Sequence, residues 1–154
     1  MSALKETIQT DLNSAMRNKD VVATSTLRMV LSAITNEEVS GKEARQLSDP
    51  EVVTVLNREA KKRREAILAY TDANRPELAE TEELELAVIK KYLPEELSDA
   101  DLLAIVSGAV ATAAAAGQSG PSAMGAVMKI VQPQVAGRAD GGQVANLVKQ
   151  LLSQ

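Results

Sequence analysis

The sequence contains no cysteine and no histidine among its 154 residues. Without cysteine the chain cannot form a disulfide, a thiolate nucleophile or a zinc site built on sulfur ligands. Without histidine it lacks the side chain that most often performs acid–base catalysis near neutral pH and most often binds transition metals. Serine–histidine–aspartate and cysteine–histidine mechanisms are therefore excluded, and we predict no catalytic residue, no metal site and no cofactor.

Aromatic residues and long apolar runs are also scarce. There is no phenylalanine or tryptophan, and Tyr70 and Tyr92 are the two tyrosines, so the core must be aliphatic, which suits helices packed on helices. The alanine-rich stretch from Leu102 to Gly117 is shorter than the roughly 20 residues that span a bilayer. The first residues carry Lys5 and Glu6 and lack the apolar region of a signal peptide. We expect a cytoplasmic protein with no membrane partner.

Charge is unevenly distributed along the chain. The formal net charge is −4, which disfavours nucleic-acid binding through overall charge and would require a local basic patch. Residues 1–94 hold 14 Lys/Arg and 16 Asp/Glu, whereas residues 95–154 hold 3 and 5. This shift predicts two domains, a helical N-terminal domain of residues 1–94 and a tail domain of residues 95–154.

Apolar residues recur at helical spacing almost throughout, which predicts an all-α fold with four helices in the first domain and three in the second. The first four helices are predicted over Leu4–Lys19, Val21–Val39, Ser48–Thr71 and Pro76–Leu93, with prolines at or near the start of the last two. In the tail, one helix runs from Ser98 to Gly117 and a short one from Ala123 to Val131. Pro133 is predicted to break that helix, and a last helix follows Gly142, capped by Asp140.

The densest basic run lies in the third helix and comprises Arg58, Lys61, Lys62, Arg63 and Arg64. Four consecutive helical residues cannot share one face. One interpretation is a solvated flank whose cations pair with nearby acids. The other is a secondary patch that contacts RNA phosphates, although no aromatic residues stand among these cations to stack on bases.

Glu82 and Glu85 lie on or beside the apolar stripe of the fourth helix. Acids on a packed face need partners, and Arg28, Arg63 and Arg64 on other helices are the candidates. An inter-helix ion-pair network is the structural interpretation. The alternatives are a pair of catalytic or metal-binding carboxylates and a polar face that docks a partner.

The tail domain offers the primary RNA-binding candidates, Lys129, Gly137, Arg138 and Gly141. The two cations have no acid near them in sequence except Asp140, and Gly137 and the pair that begins at Gly141 permit positive φ angles. A phosphate-binding corner and ordinary turn chemistry are both consistent with this pattern. The glycines match neither nucleotide-binding loop pattern.

The chain resembles the YqeY-like family along essentially its whole length. The residues that carry the resemblance are Ala15-Met16, Lys19-Asp20, Leu27-Arg28-Met29, Lys62-Arg63, Ile67, Asn74-Arg75, Leu78-Ala79, Glu82, Glu85, Tyr92-Leu93-Pro94, Met124-Gly125, Val127-Met128-Lys129 and Gly137-Arg138-Ala139-Asp140-Gly141. The family's tail module is similar to the tail of the B subunit of the tRNA-dependent amidotransferase. That enzyme is a carbon–nitrogen ligase with glutamine as amido-N-donor, and its B-subunit tail packs against the outer part of the tRNA.

The resemblance implies a tail domain that binds tRNA or a tRNA-charging partner, an amidotransferase or an aminoacyl-tRNA synthetase. It also implies the carbon–nitrogen ligase label, but nothing in this chain matches the catalytic folds of that enzyme. A second hypothesis is a protein-interaction adaptor that docks through the N-terminal helices without RNA. A third is an enzyme that uses Glu82 and Glu85.

Overall fold

The computed structural model describes residues 1–154 and contains seven α-helices and no β-strand. The predicted all-α class is therefore confirmed. The helices are α1 (Ala3–Arg17), α2 (Val21–Glu38), α3 (Asp49–Asp72), α4 (Pro76–Lys90), α5 (Asp99–Ala115), α6 (Met124–Val135) and α7 (Gly141–Leu152), with a 3-10 turn at Pro121–Ala123 before α6. The chain divides into two compact units, an N-terminal unit of residues 1–93 and a tail unit of residues 94–154. That residues 1–94 and 95–154 form independent domains stays a prediction.

Side chains at the helix ends explain where several helices begin and stop. At the start of α3 the Ser48 hydroxyl accepts from the amide of Glu51 while the Glu51 carboxylate accepts from the amide of Ser48, a complete capping box. Asp140 caps α7 as predicted, accepting from the amide of Gln143 at 3.0 Å. Gly117 follows α5 with a φ of +84°, a conformation that costs glycine little.

Pro133 does not break the helix as predicted, because α6 continues through it to Val135. Val127, Val131 and Val135 recur every four residues on the buried face of α6, so burial of their side chains favours continuation of the helix. Pro133 itself is exposed. Because proline has no N–H, the carbonyl of Lys129 loses its usual intrahelical donor. Since Pro133 is exposed, water can hydrate that carbonyl instead.

Each unit has its own aliphatic core. In the N-terminal unit the core comprises Ile8, Leu12, Leu27, Val30, Ile34, Leu47, Val52, Val55, Leu56, Ala60, Leu86, Val88 and Ile89. In the tail unit it comprises Leu102, Val106, Ala109, Ala113, Ala123, Val127, Val131, Val135, Val144, Val148 and Leu152. In the N-terminal unit the Tyr92 hydroxyl also donates to the Asp11 carboxylate at 2.6 Å, which links residues far apart in the sequence.

Candidate nucleic-acid interface

The exposed cations of the basic run on α3 are paired with acids. The pairs are Arg58 Nη2 with Glu37 Oε2 at 3.1 Å, Lys61 Nζ with Glu65 Oε1 at 4.0 Å, and Lys62 Nζ with Glu59 Oε1 at 2.9 Å. Each pair is partly or largely exposed to solvent, so each contributes little to stability. Their main effect is to offset the positive potential that this run would otherwise present to a phosphate.

Arg63 does not share the exposed surface of the run, because the residue is only 6% exposed. Its Nη1 donates to Glu59 Oε2 at 2.7 Å. Its Nε lies 3.5 Å from Glu85 Oε2, close enough for charge attraction but without the geometry of a hydrogen bond. The guanidinium thus lies between the carboxylates of α3 and α4, where it holds the packed face of the N-terminal unit together and cannot reach a nucleic acid.

The pKa values of the two carboxylates around Arg63 are shifted in opposite directions. Burial alone would raise the pKa of Glu59, but hydrogen bonds from Lys62 and Arg63 bring that pKa below its ordinary value. Burial, together with the negative charge of Glu82, raises the pKa of Glu85 despite the nearby guanidinium. The ionised form of Glu59 is therefore favoured by folding and that of Glu85 is disfavoured.

The predicted ion-pair network around Glu85 is confirmed for Arg63. Arg28 takes a different role, since its Nη2 contacts Met16 Sδ at 3.3 Å. No group of three or more acidic side chains is arranged to hold a metal ion. In this structure Glu85, on the inner side of α4, compensates the charge of the buried Arg63.

In the tail unit, Lys129 and Arg138 have a different environment. Lys129 is exposed on α6, on the side away from the buried valines. Arg138 is partly buried in the turn after α6, where its Nε donates to the carbonyl oxygen of Glu95 at 3.2 Å. The carbonyl oxygen of Arg138 accepts from the amide of Leu97 at 2.8 Å. None of the ion pairs found in the structure involves either cation.

The predicted glycines of this corner divide into two kinds. Gly137 has a φ of +73°, so it makes the turn that presents Arg138. Gly141 is the first residue of α7 and does not adopt a positive φ, contrary to the use predicted for it. Asp140 already caps this helix by accepting a hydrogen bond from the amide of Gln143. Its negative charge opposes the binding of an anion at the same helix end. A phosphate contact must therefore come from the side-chain cations.

The structure places Gly137 and Arg138 in one turn and Gly141 at the start of the helix that follows it, but Lys129 is not part of that turn. Lys129 and Val135 are six positions apart in α6, so about 9 Å of helix axis lies between Lys129 and the last residue of α6 before the turn.

Sequence reasoning missed Lys149, the third cation of the tail unit. It is exposed in the last turn of α7 and takes part in no ion pair of the structure. The signal that could have found it is its isolation, because a cation in a segment with few acids has few partners available. All three cations of the tail unit are thus without a carboxylate partner.

Comparison with known proteins gives a family match over nearly the whole chain. The family model described as Yqey-like protein matches residues 5–152. The chain is 33% identical over 96 residues to an uncharacterized protein of Schizosaccharomyces pombe, covering 62% of this chain and 76% of that protein.

Several relatives bear the name Altered inheritance of mitochondria protein 41, mitochondrial. The protein of that name from Candida glabrata is 30% identical over 89 residues, 58% of this chain and 49% of its own length. The one from Pyrenophora tritici-repentis is 25% identical over 148 residues, 94% of this chain and 78% of its own length. The matched segment thus spans about half of the Candida glabrata protein.

The location predicted for this chain is not confirmed by these findings. The names of these relatives place them in mitochondria, whereas the sequence led us to expect a cytoplasmic protein. No helix of the structure is long and apolar enough to cross a membrane.

Proposed function

The chain belongs to the YqeY-like family, and from this premise we propose that it is a non-catalytic binding module of the tRNA-charging machinery whose tail unit contacts the tRNA backbone. The proposal rests on one observation above all. Lys129 and Arg138 have no carboxylate partner, while Arg58, Lys61 and Lys62 on α3 each have one.

An unpaired cation on the surface can release its counterions when it meets a phosphate, whereas a paired cation must first lose its carboxylate. The tail cations are few, so the contact is a small, backbone-directed one without base recognition. The absence of phenylalanine and tryptophan from the sequence agrees with contacts to phosphate and sugar in place of stacking on bases. The resemblance of the tail to the amidotransferase B-subunit tail supports tRNA as the nucleic acid.

The test is a fluorescence titration of the full chain against bulk tRNA at low and near-physiological salt. We expect saturable binding whose logarithm falls linearly with the logarithm of the salt concentration. The double variant Lys129→Ala/Arg138→Ala should weaken binding and reduce that slope by about two. The matched control, Arg58→Ala/Lys61→Ala, removes two paired cations and should leave the slope nearly unchanged. Absence of binding at low salt, or an equal effect of the control, would refute the RNA contact.

A second function, a protein adaptor that docks through the N-terminal unit, is supported by two exposed methionines. Met16 and Met29 are 41% and 40% exposed. Met16 Sδ is 3.3 Å from Arg28 Nη2, and Met29 Sδ is 3.7 Å from Arg63 Nη2. Methionine is flexible and polarisable, which suits surfaces that adapt to a partner.

The partner expected for this adaptor is an amidotransferase or an aminoacyl-tRNA synthetase. The test is recovery of the purified partner on the immobilised full chain in high salt, which screens RNA contacts but strengthens apolar ones. We expect Met16→Ser/Met29→Ser to abolish recovery. Recovery that is unaffected by this variant would exclude Met16 and Met29 as parts of the docking site.

A further inference from the structure

A groove between α5 and α7 in the tail unit belongs to neither of these functions. It encloses about 670 Å³, the size of a site that accommodates a small ligand or a few peptide residues. Its floor is apolar, with Leu102 buried and Leu147 partly buried, and Leu103 on its side is 45% exposed. A large apolar side chain left exposed beside a groove offers area that a partner can cover.

The charge of the groove is of one sign. Asp99 and Asp140 line it and no lysine or arginine does. The two carboxylates lie at the same end because Gln143 bridges them, donating its side-chain Nε2 to Asp99 Oδ1 at 3.2 Å and its amide to Asp140 Oδ2 at 3.0 Å. The second oxygen of each carboxylate accepts no hydrogen bond in the structure. This end of the groove attracts a cation and repels a phosphate backbone.

The wall formed by α7 adds carboxamides without partners. Asn146 and Gln150 are four residues apart and therefore lie on one face of the helix, and both line the groove. Both residues are exposed, and no side-chain hydrogen bond is found for either one. A carboxamide both donates and accepts, so this pair can bind the N–H and C=O groups of a peptide main chain. Only an extended segment has those groups free, since a helix uses its own.

We propose that the α5–α7 groove binds an extended basic peptide segment of a partner protein. A lysine or arginine of the segment lies between Asp99 and Asp140, an apolar side chain a few residues away packs on Leu103 and Leu147, and the main chain pairs with the carboxamides of α7. Charge complementarity decides the choice of occupant, because the lining is acidic and apolar and therefore favours a cation over a phosphate. The site uses none of the cations assigned to the RNA contact, so either proposal can fail without the other.

The first experiment selects a ligand without prejudging its sequence. A phage-displayed library of random decapeptides is selected on the immobilised full chain and counter-selected on the double variant Asp99→Asn/Asp140→Asn. The variant is isosteric, and asparagine caps a helix as well as aspartate does, so the fold is preserved. We expect enrichment of peptides with a lysine or arginine near an apolar residue. Failure to enrich over the variant, or enrichment of peptides without a basic residue, would overturn the proposal.

The second experiment measures the binding of an enriched peptide by fluorescence anisotropy. We expect the Asp99→Asn/Asp140→Asn variant to weaken binding about tenfold, the combined effect of two partly exposed ion pairs. The control, Glu95→Gln/Asp101→Asn, makes the same change in net charge at two exposed acids outside the lining and should change binding less than twofold. Equal effects of the two variants would reduce the groove to a general acidic surface and overturn the proposal.

Amide chemical shifts identify the site directly. Addition of the peptide should shift the backbone and side-chain amide signals of Asn146 and Gln150, and Leu103→Ser should weaken the response. Addition of tRNA should leave those signals in place. If tRNA shifts them and the peptide does not, the groove is a nucleic-acid site and the proposal is wrong.

Discussion

The two units of this protein use charge in different ways. The N-terminal unit holds most of the charged residues, and many of them are paired across or along its helices, down to a buried Arg63 that contacts two carboxylates. The tail unit holds three cations, none in an ion pair, and its buried residues are all aliphatic. Carboxylates thus pair with many cations of the N-terminal unit, whereas no cation of the tail unit has a carboxylate partner.

The comparison shows that density of basic residues in a sequence is a poor guide to a basic surface. The run from Lys61 to Arg64 is the densest in the chain, yet one member is buried and others are paired with neighbours. The charge of an isolated cation such as Lys129, in a segment with few acids, is not offset by a neighbouring carboxylate. Availability of a carboxylate partner is therefore the property that distinguishes the cations of the N-terminal unit from those of the tail unit.

The largest effect that would test this comparison is expected for Arg63→Ala. The change leaves Glu59 and Glu85 in the packed face without their shared cation, and loss of one partner of a buried ion pair costs about 3 kcal/mol. We expect the free energy of unfolding of the N-terminal unit to fall by that amount in urea titrations. The control Lys61→Ala removes an exposed pair and should cost no more than about 0.5 kcal/mol.

The two tyrosines make this measurement specific to one unit. Tyr70 and Tyr92 both belong to the N-terminal unit, so tyrosine fluorescence follows that unit alone, while circular dichroism follows the helices of both. If the predicted domains are independent, Arg63→Ala moves the fluorescence transition and leaves part of the dichroism transition unchanged. A single transition shifted equally in both signals would contradict independent domains, and an effect no larger than that of Lys61→Ala would contradict a structural role for Arg63.

A smaller effect of opposite sign is expected in the tail unit for Pro133→Ala. Pro133 lies inside α6 and is exposed, so alanine restores an intrahelical hydrogen bond to the carbonyl of Lys129 without disturbing the core. We expect stabilisation of about 2 kcal/mol, seen by dichroism and not by tyrosine fluorescence. The exposed neighbour change Gln132→Ala should alter stability by only a few tenths of a kcal/mol. Destabilisation by Pro133→Ala would show that the proline is required in α6.

Much of the fold could be predicted because its signals are local. Helical spacing of apolar residues, the capping box at Ser48 and the cap at Asp140 each depend on residues a few positions apart. Pro133 was misjudged because the penalty of a proline is local, whereas the burial of Val127, Val131 and Val135 that outweighs it depends on packing against other helices. Local sequence rules alone do not show whether the proline penalty or the burial of these valines is larger.

The sites were predicted less completely, since they depend on which side chains meet in space. The sequence offered Arg28, Arg63 and Arg64 as partners for the acids of α4, and Arg28 proved to contact Met16. The groove between α5 and α7 gave no sequence signal, because Asp99 and Asp140 are 41 residues apart. Asp140 looks like an ordinary helix cap, and Asp99 looks like an ordinary first-turn acid after the cap Ser98. Only the bridge through Gln143 brings their carboxylates to one place.

The smallest of the three expected effects concerns acid. All four carboxylates with a shifted pKa, Glu38, Glu51, Glu59 and Glu85, lie in the N-terminal unit. The pKa is lowered for the first three and raised for Glu85. A carboxylate whose pKa is lower in the folded than in the unfolded state stabilises the fold at pH values above 4.5, its pKa in the unfolded state. That stabilisation is lost as the pH falls from 4.5 through the pKa of the folded state. Glu85 acts in the opposite sense, since its ionisation disfavours the fold and the cost disappears as pH falls below its raised pKa.

Glu51 determines the lower end of the pH range over which the stability of the N-terminal unit is expected to change. Hydrogen bonds from the amide of Ser48 and from the Arg45 side chain lower the pKa of Glu51 to about 2, so its contribution is lost between pH 4.5 and pH 2. Because the Glu51 side chain is partly exposed, solvent screens the effect. We expect the urea midpoint seen by tyrosine fluorescence to fall over this window. Glu51→Gln keeps the capping box but cannot ionise, so it should flatten that dependence. An unchanged dependence in Glu51→Gln would mean that other acids of the N-terminal unit control its response to pH.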